Sequence, residues 1–147
     1  MFQDHPLQRW KHRWYPLRCW RAQPLGERGE RIAANYLRHR GYQIIEQGYA
    51  TRYGEIDIVA VHQRTVVFIE VKTRRVADRR VPLEAVTLEK QRRLSRISLA
   101  YLKRYDLMEC SSRFDVVGLV WPKGQWRPGI THVINAFEPH GTSSLYY

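Results

Sequence analysis

At 147 residues the chain has the size of one ordinary domain and enough length to bury a core. A composition of 44% hydrophobic and 27% charged residues excludes a disordered, fibrous or low-complexity protein. With 25 Lys and Arg against 14 Asp and Glu, the formal net charge of +11 favours a polyanionic partner, nucleic acid first, over an anionic membrane surface or mere solubility.

Residues 1–24 hold Pro6, Pro16 and Pro24 and show no sustained period, which predicts an extension outside the folded domain. Within it, Arg9, Lys11, Arg13, Arg18 and Arg21 alternate with Trp10, Trp14, Tyr15 and Trp20. That mixture could stack on bases and neutralise phosphates, or its aromatics could clasp the domain. The segment lacks the apolar stretch of a signal peptide. His5, His12 and Cys19 follow no zinc spacing, and Cys19 and Cys110 form no disulfide framework. No apolar run approaches the roughly 18–20 residues that span a bilayer. The expectation is a cytoplasmic protein that does not enter membranes.

From Leu25 to Arg40 the sequence LGERGERIAANYLRHR predicts an amphipathic helix, with Ile32, Ala33, Tyr36 and Leu37 on its stripe and Gly41 as its stop. Glu30 precedes Ala33, Ala34 and Leu37 by three, four and seven positions, so its carboxylate falls on the core-facing stripe. Glu27 has Arg31 four positions on and suits a surface pair.

Next come YQIIEQGYAT, GEIDIVAVH and TVVFIEVKT, three predicted strands, the last two joined by the turn His62-Gln63-Arg64. Apolar residues on both faces mark the last two as central strands covered on two sides. Alternation places Glu55 with Asp57 on one face and Glu70 with Lys72 on one face. A charge buried in such a strand costs several kcal/mol unless something compensates it, on the order of the penalty for a buried ion.

Residues 76–81 read as a charged loop, and Pro82 is expected to open a second helix running to Tyr105. Its stripe is Leu94, Ile97, Tyr101 and Tyr105, with Lys90 one turn before Leu94. Lys72, Arg74, Arg75, Arg79, Arg80, Lys90, Arg92, Arg93, Arg96, Lys103 and Arg104 face only Asp78, Glu84 and Glu89 across this region. Two further strands, RFDVVGLVW and GITHVINAFEP, close the domain around the turn-rich PKGQWRPG. The domain is taken as residues 25–138, followed by a tail over 139–147.

Glu30 on a helix, Asp57 in one strand and Glu70-x-Lys72 in the next make a chemical pattern. Mg²⁺ or Mn²⁺ takes oxygen ligands, which Asp57 and Glu70 would supply, with the Val71 carbonyl as a third. Without a cation, two carboxylates about 4 Å apart repel by roughly 4 kcal/mol at an effective dielectric of 20. Lys72 would hold an attacking water or stabilise charge on a phosphate. Lys90 would contact a phosphate or remain solvated, and Asp115 would belong to a functional motif or pair structurally with Arg113 or a neighbour.

GERGERIAANYL, GEIDIVA, FIEVKTRR, the Lys90 helix and RFDVV resemble the YraN-like family of uncharacterised bacterial proteins. That family belongs to the PD-(D/E)xK restriction-endonuclease-like superfamily and is similar to archaeal Holliday junction resolvases. The resemblance implies an α/β, three-layer fold with a central mixed sheet of about five strands flanked by helices. It also implies a metal-dependent endonuclease hydrolysing DNA phosphodiesters, at branched DNA such as Holliday junctions, and a homodimer by analogy. Catalytic roles fall on Glu30, Asp57, Glu70 and Lys72, and nucleic-acid contacts on Arg74, Arg75, Lys90, Arg92 and Arg93. Ile56 stands where the superfamily has its proline, and Glu55 is a rival metal ligand. The competing readings are a non-catalytic nucleic-acid-binding module, an assembly partner for an acidic protein, and an internal ion-pair network with no chemistry.

Overall fold

A computed structural model describes residues 24–76 and 85–140. The basic aromatic extension, the charged loop and most of the tail therefore lie outside the described residues. In chain order the elements are α1 (Leu25–His39), β1 (Gln43–Thr51), β2 (Gly54–His62), β3 (Thr65–Val76), α2 (Leu88–Arg104), β4 (Ser112–Pro122) and β5 (Gly129–Phe137). The strands form one sheet in the order β1-β2-β3-β4-β5. Neighbours run antiparallel except β3 and β4, which are parallel. A parallel pair needs a crossover, and α2 supplies it. Among the described residues no helix is long and apolar enough to cross a membrane.

Each face of the sheet carries its own core. Ala33, Ala34 and Leu37 of α1 are buried with Ile58, Ala60, Val67, Ile69, Val117 and Leu119. Leu94, Ile97, Tyr101 and Leu102 of α2 are buried with Val59, Val66, Phe68, Phe114 and Val116 on the opposite face. Alternating residues of β3 and β4 thus feed the two cores, as strands covered on both sides must. The result is the α/β three-layer arrangement expected, a mixed sheet between helices, consistent with a restriction-endonuclease-like fold.

The α1 helix stops where its sequence requires. Gly41 takes φ +84°, and the amides of Gly41 and Tyr42 donate to the carbonyls of Arg38 and Leu37, closing a Schellman motif. The second helix begins later than the Pro82 signal suggested: residues 85–87 are not helical, and α2 starts at Leu88. Thr87 decides the start. Its hydroxyl oxygen accepts from the Lys90 amide at 3.3 Å, satisfying a donor that the first turn leaves open. Between β2 and β3, Gln63 and Arg64 both have positive φ, 47° and 67°, as a two-residue type I′ hairpin turn demands.

Two contacts lock the layers in place. At Gly29, α1 approaches β3 so closely that an added Cβ would stand 2.0 Å from Thr73 Oγ1. At the sheet's other end, Asp115 is fully buried and accepts five hydrogen bonds. They come from Arg113 Nε (2.9 Å) and Nη2 (3.3 Å), Tyr42 OH (3.1 Å), His132 Nε2 (3.0 Å) and the Asn135 amide (3.0 Å). Burial alone would raise its pKa, but bonds from His132, Arg113 and the Asn135 N–H outweigh it and hold the carboxyl at about 2. Asp115 pairs with Arg113, as its sequence context allowed, and joins β4 and β5 to Tyr42 at the entry to β1.

Gly29→Ala tests the first contact against propensity, because Ala is normally about 1 kcal/mol better than Gly within a helix. The clash should win, lowering Tm by several degrees, and Thr73→Ala in the same chain should restore part of the loss in a double-mutant cycle. Asp115→Asn leaves the Arg113 charge without its carboxylate and should cost about 3–5 kcal/mol in denaturant titration. The native Asp115 contribution, present above pH 3.8, should fade toward pH 2 in the parent and be absent from the variant.

Candidate functional site

The β2–β3 ladder ends at the pair Ile58–Ile69. One residue earlier, Asp57 accepts the Val71 amide through Oδ2 at 2.7 Å, so a side chain takes a donor where strand pairing has stopped. Regular alternation slips there too, for Ile56 joins the α2-side core while Ile58 joins the α1-side core. The strands part, and Glu30 of α1 reaches the gap.

Glu30, Glu55 and Asp57 each place a carboxylate oxygen within 4.8 Å of the other two. Glu30 and Asp57 are half-buried and Glu55 is exposed. Burial, with Glu70 next and then Glu30, pushes the Asp57 carboxyl up to about 7, against the pull of the Val71 N–H and Lys90. Burial and the charges of Glu55, Glu27 and Glu70 likewise raise Glu30. Protons or a cation must relieve this crowding of negative charge.

Glu70 adds to the field at both carboxyls but turns one oxygen elsewhere. Its Oε1 lies 3.0 Å from Lys90 Nζ, an ion pair between side chains 11% and 27% exposed. Its Oε2 is buried and has no hydrogen-bond partner among the described residues. An unsatisfied buried carboxylate oxygen beside three clustered carboxylates fits a hard cation, so this Glu-Glu-Asp cluster can bind a metal ion. Lys72 Nζ donates to the Ala85 carbonyl at 3.0 Å, just ahead of α2.

The structure thus gathers two of the residues expected at the site, Glu30 and Asp57, and adds Glu55, which the sequence left as a rival metal ligand. Glu70 stands beside them, held by Lys90, and Val71 contributes its N–H to Asp57. Lys72 and Lys90 both approach from the α2 side. Arg92 is exposed on α2, Arg74 is partly buried on β3, and Arg75 is exposed near the end of β3. Arg93 packs its side chain against Gly54 at the start of β2. One feature escaped the sequence: Arg52 and Arg96 both stack on Tyr53, at 4.7 and 5.3 Å from the ring centroid. Only the fold brings α2 to the β1–β2 turn; the adjacent Arg52-Tyr53 was the visible half of that cluster.

A family model described as "Uncharacterised protein family UPF0102" matches residues 29–119. A UPF0102 protein of Geobacter sulfurreducens is 46% identical over 114 residues, covering 78% of this chain and 88% of its own. One from Chlorobium phaeobacteroides is 44% identical over 117 residues, covering 77% and 93%. Another, from Rhodopirellula baltica, is 41% identical over 125 residues, covering 83% and 75%. The matched span of the family model contains the acidic cluster, Lys72, Lys90 and Asp115.

A carboxyl raised by folding stabilises the protein below the unfolded pKa and loses that contribution as pH rises through the folded value. Metal-free protein should therefore weaken between pH 4 and about 7 as Asp57 is forced to ionise. Asp57→Asn should remove that dependence and raise Tm at pH 8 in EDTA by roughly 5 °C. Mn²⁺ should raise the Tm of the parent at pH 8 and leave the variant unchanged.

Proposed function

The chain belongs to the uncharacterised protein family UPF0102, whose name assigns no activity, and from that premise we propose that it is a divalent-metal-dependent nuclease acting on DNA. The observation that carries this reading is the meeting of Glu30, Glu55 and Asp57 within 4.8 Å, where β2 and β3 part. All-oxygen donors of high negative charge suit Mg²⁺ or Mn²⁺ better than softer metals. Such a cation supplies Lewis acidity and an acidified water for in-line displacement at phosphorus.

The chain's own groups do the rest. Asp57 is oriented by the Val71 N–H, and Glu30 is carried to it on α1, whose approach is set at Gly29. Glu70 lends a second-rank carboxylate, its free Oε2 available to the same ion. Lys72 sits two residues beyond Glu70 on β3; by exchanging the Ala85 carbonyl for a phosphate oxygen it would stabilise charge building there. Lys90 balances Glu70 and lies within reach of the same phosphate. Arg52, Arg93 and Arg96 gather around Tyr53 and Gly54, which directly precede Glu55 in the chain, and would neutralise flanking phosphates. By analogy with the resolvases that the sequence resembles, we extend the proposal to a branched substrate and a homodimer.

A second reading has its own observation. The Glu70–Lys90 ion pair compensates one carboxylate without metal, as a domain that binds nucleic acid and does not cut it would need.

Incubation with linear, flapped and four-way-junction DNA plus Mn²⁺ separates the two. Cleavage is expected, strongest on a structured substrate, and Lys72→Ala should lower its rate at least 10²-fold while binding persists. Binding without cleavage of any substrate, with the parent protein in excess, selects the second reading.

A further inference from the structure

Away from the acidic cluster, Arg28, Arg75, Trp121 and Lys123 line a cavity of about 390 Å³ with the turn that follows β4. A second, of about 270 Å³, continues past Arg28 and Gly124 to Trp126. None of the described residues lining either cavity carries a carboxylate. Arg28 lies over the Trp121 ring, 5.3 Å from its centroid, and Trp121 is 6% exposed with an indole N–H lacking any hydrogen-bond partner among the described residues. Trp126, in contrast, is 89% exposed, the most open large apolar side chain among the described residues. Neither metal chemistry nor the core accounts for it.

From this placement we infer that the double cavity is a binding site for an unpaired nucleotide segment, its phosphates among Arg28, Arg75 and Lys123 and a base stacked on Trp126. Three cations with no carboxylate among the described lining residues select a polyanion. An indole standing in water offers a flat apolar face, and only a base that has left its neighbours can cover it; bases inside a duplex are already stacked on both sides. Backbone cations combined with an aromatic platform form the arrangement that holds single strands. The same elements carry both sites: Arg28 stands two residues before Glu30 on α1, and Arg75 three residues after Lys72 on β3. The inference rests on the nucleic-acid reading above and adds to it that one strand is held unpaired at a second place on the elements that carry the acidic cluster.

Fluorescence anisotropy on the full chain in EDTA, with a labelled twelve-residue oligothymidylate and a labelled blunt duplex, tests it without any cleavage step. Trp126→Ala should weaken oligothymidylate binding roughly tenfold or more and change duplex binding less than twofold. Lys123→Ala and Arg75→Ala should each flatten the dependence of log affinity on log salt for the oligonucleotide by about 0.7. The inference is overturned if the parent does not bind the oligonucleotide or if Trp126→Ala binds it as the parent does. It is also overturned if polyglutamate competes as well as unlabelled oligothymidylate, which assigns the cavity to an acidic protein. The Mn²⁺ cleavage assay reports on the metal centre separately, so either reading can fail alone.

Discussion

One hydrogen bond organises the centre of this protein: the Val71 amide donating to the Asp57 carboxylate. A sheet normally satisfies its amides with carbonyls of the next strand, and a buried amide left without a partner costs about 1–3 kcal/mol. Here a carboxylate takes the amide, and so the strands need not stay paired past Ile58 and Ile69. The opening created in this way admits Glu30 from one side and Lys90 from the other. Without it β2 and β3 would continue as a closed ladder, and their charges would meet on no common ground.

Two aspartates, one fully buried and one half-buried, show what separates holding a fold together from preparing chemistry. Asp115 is enclosed by donors, and its carboxyl is held at about 2. Asp57 is desolvated by burial and stands beside Glu70 and Glu30, and its carboxyl is pushed to about 7. The first is satisfied by the protein itself; the second has one amide donor in the protein, and its remaining charge calls for a proton or a cation. In a chain of net charge +11, concentrated acid of this kind runs against the composition. That opposition supports a metal-directed role for Asp57 and a structural one for Asp115.

Much of the architecture was legible because it is written in periods. The α1 stripe of Ala33 and Leu37, the two-sided apolar strands and the Gly41 stop follow from local geometry, and all appear in the fold. The α2 start was misread because Pro82 is a strong local signal, whereas the Thr87 cap is visible only once its bond to the Lys90 amide is seen. For the site, Glu30 and Asp57 were legible as charges in apolar settings. Glu55 was ambiguous because strand alternation places it beside Asp57 without saying which elements approach. The Glu70–Lys90 pair joins residues twenty positions apart and depends on how α2 crosses the sheet, which no period encodes. The open Trp126 reads in sequence as one more turn residue.

The crossover between β3 and β4 divides the chain in time as well as in space. Everything that crowds the acidic cluster, from Glu30 to Glu70, lies in α1 and the β1-β2-β3 meander, where partners are joined by short turns. The parallel β3–β4 pairing must close a much longer loop, so its entropic cost falls later. Loop-closure entropy thus favours gathering the carboxylates before α2 brings the lysine that offsets Glu70, an order in which the nascent meander would hold its acidic cluster uncompensated. A cation that binds the cluster would therefore meet it while the site is still open on one side, and would act in assembly as well as on the completed fold.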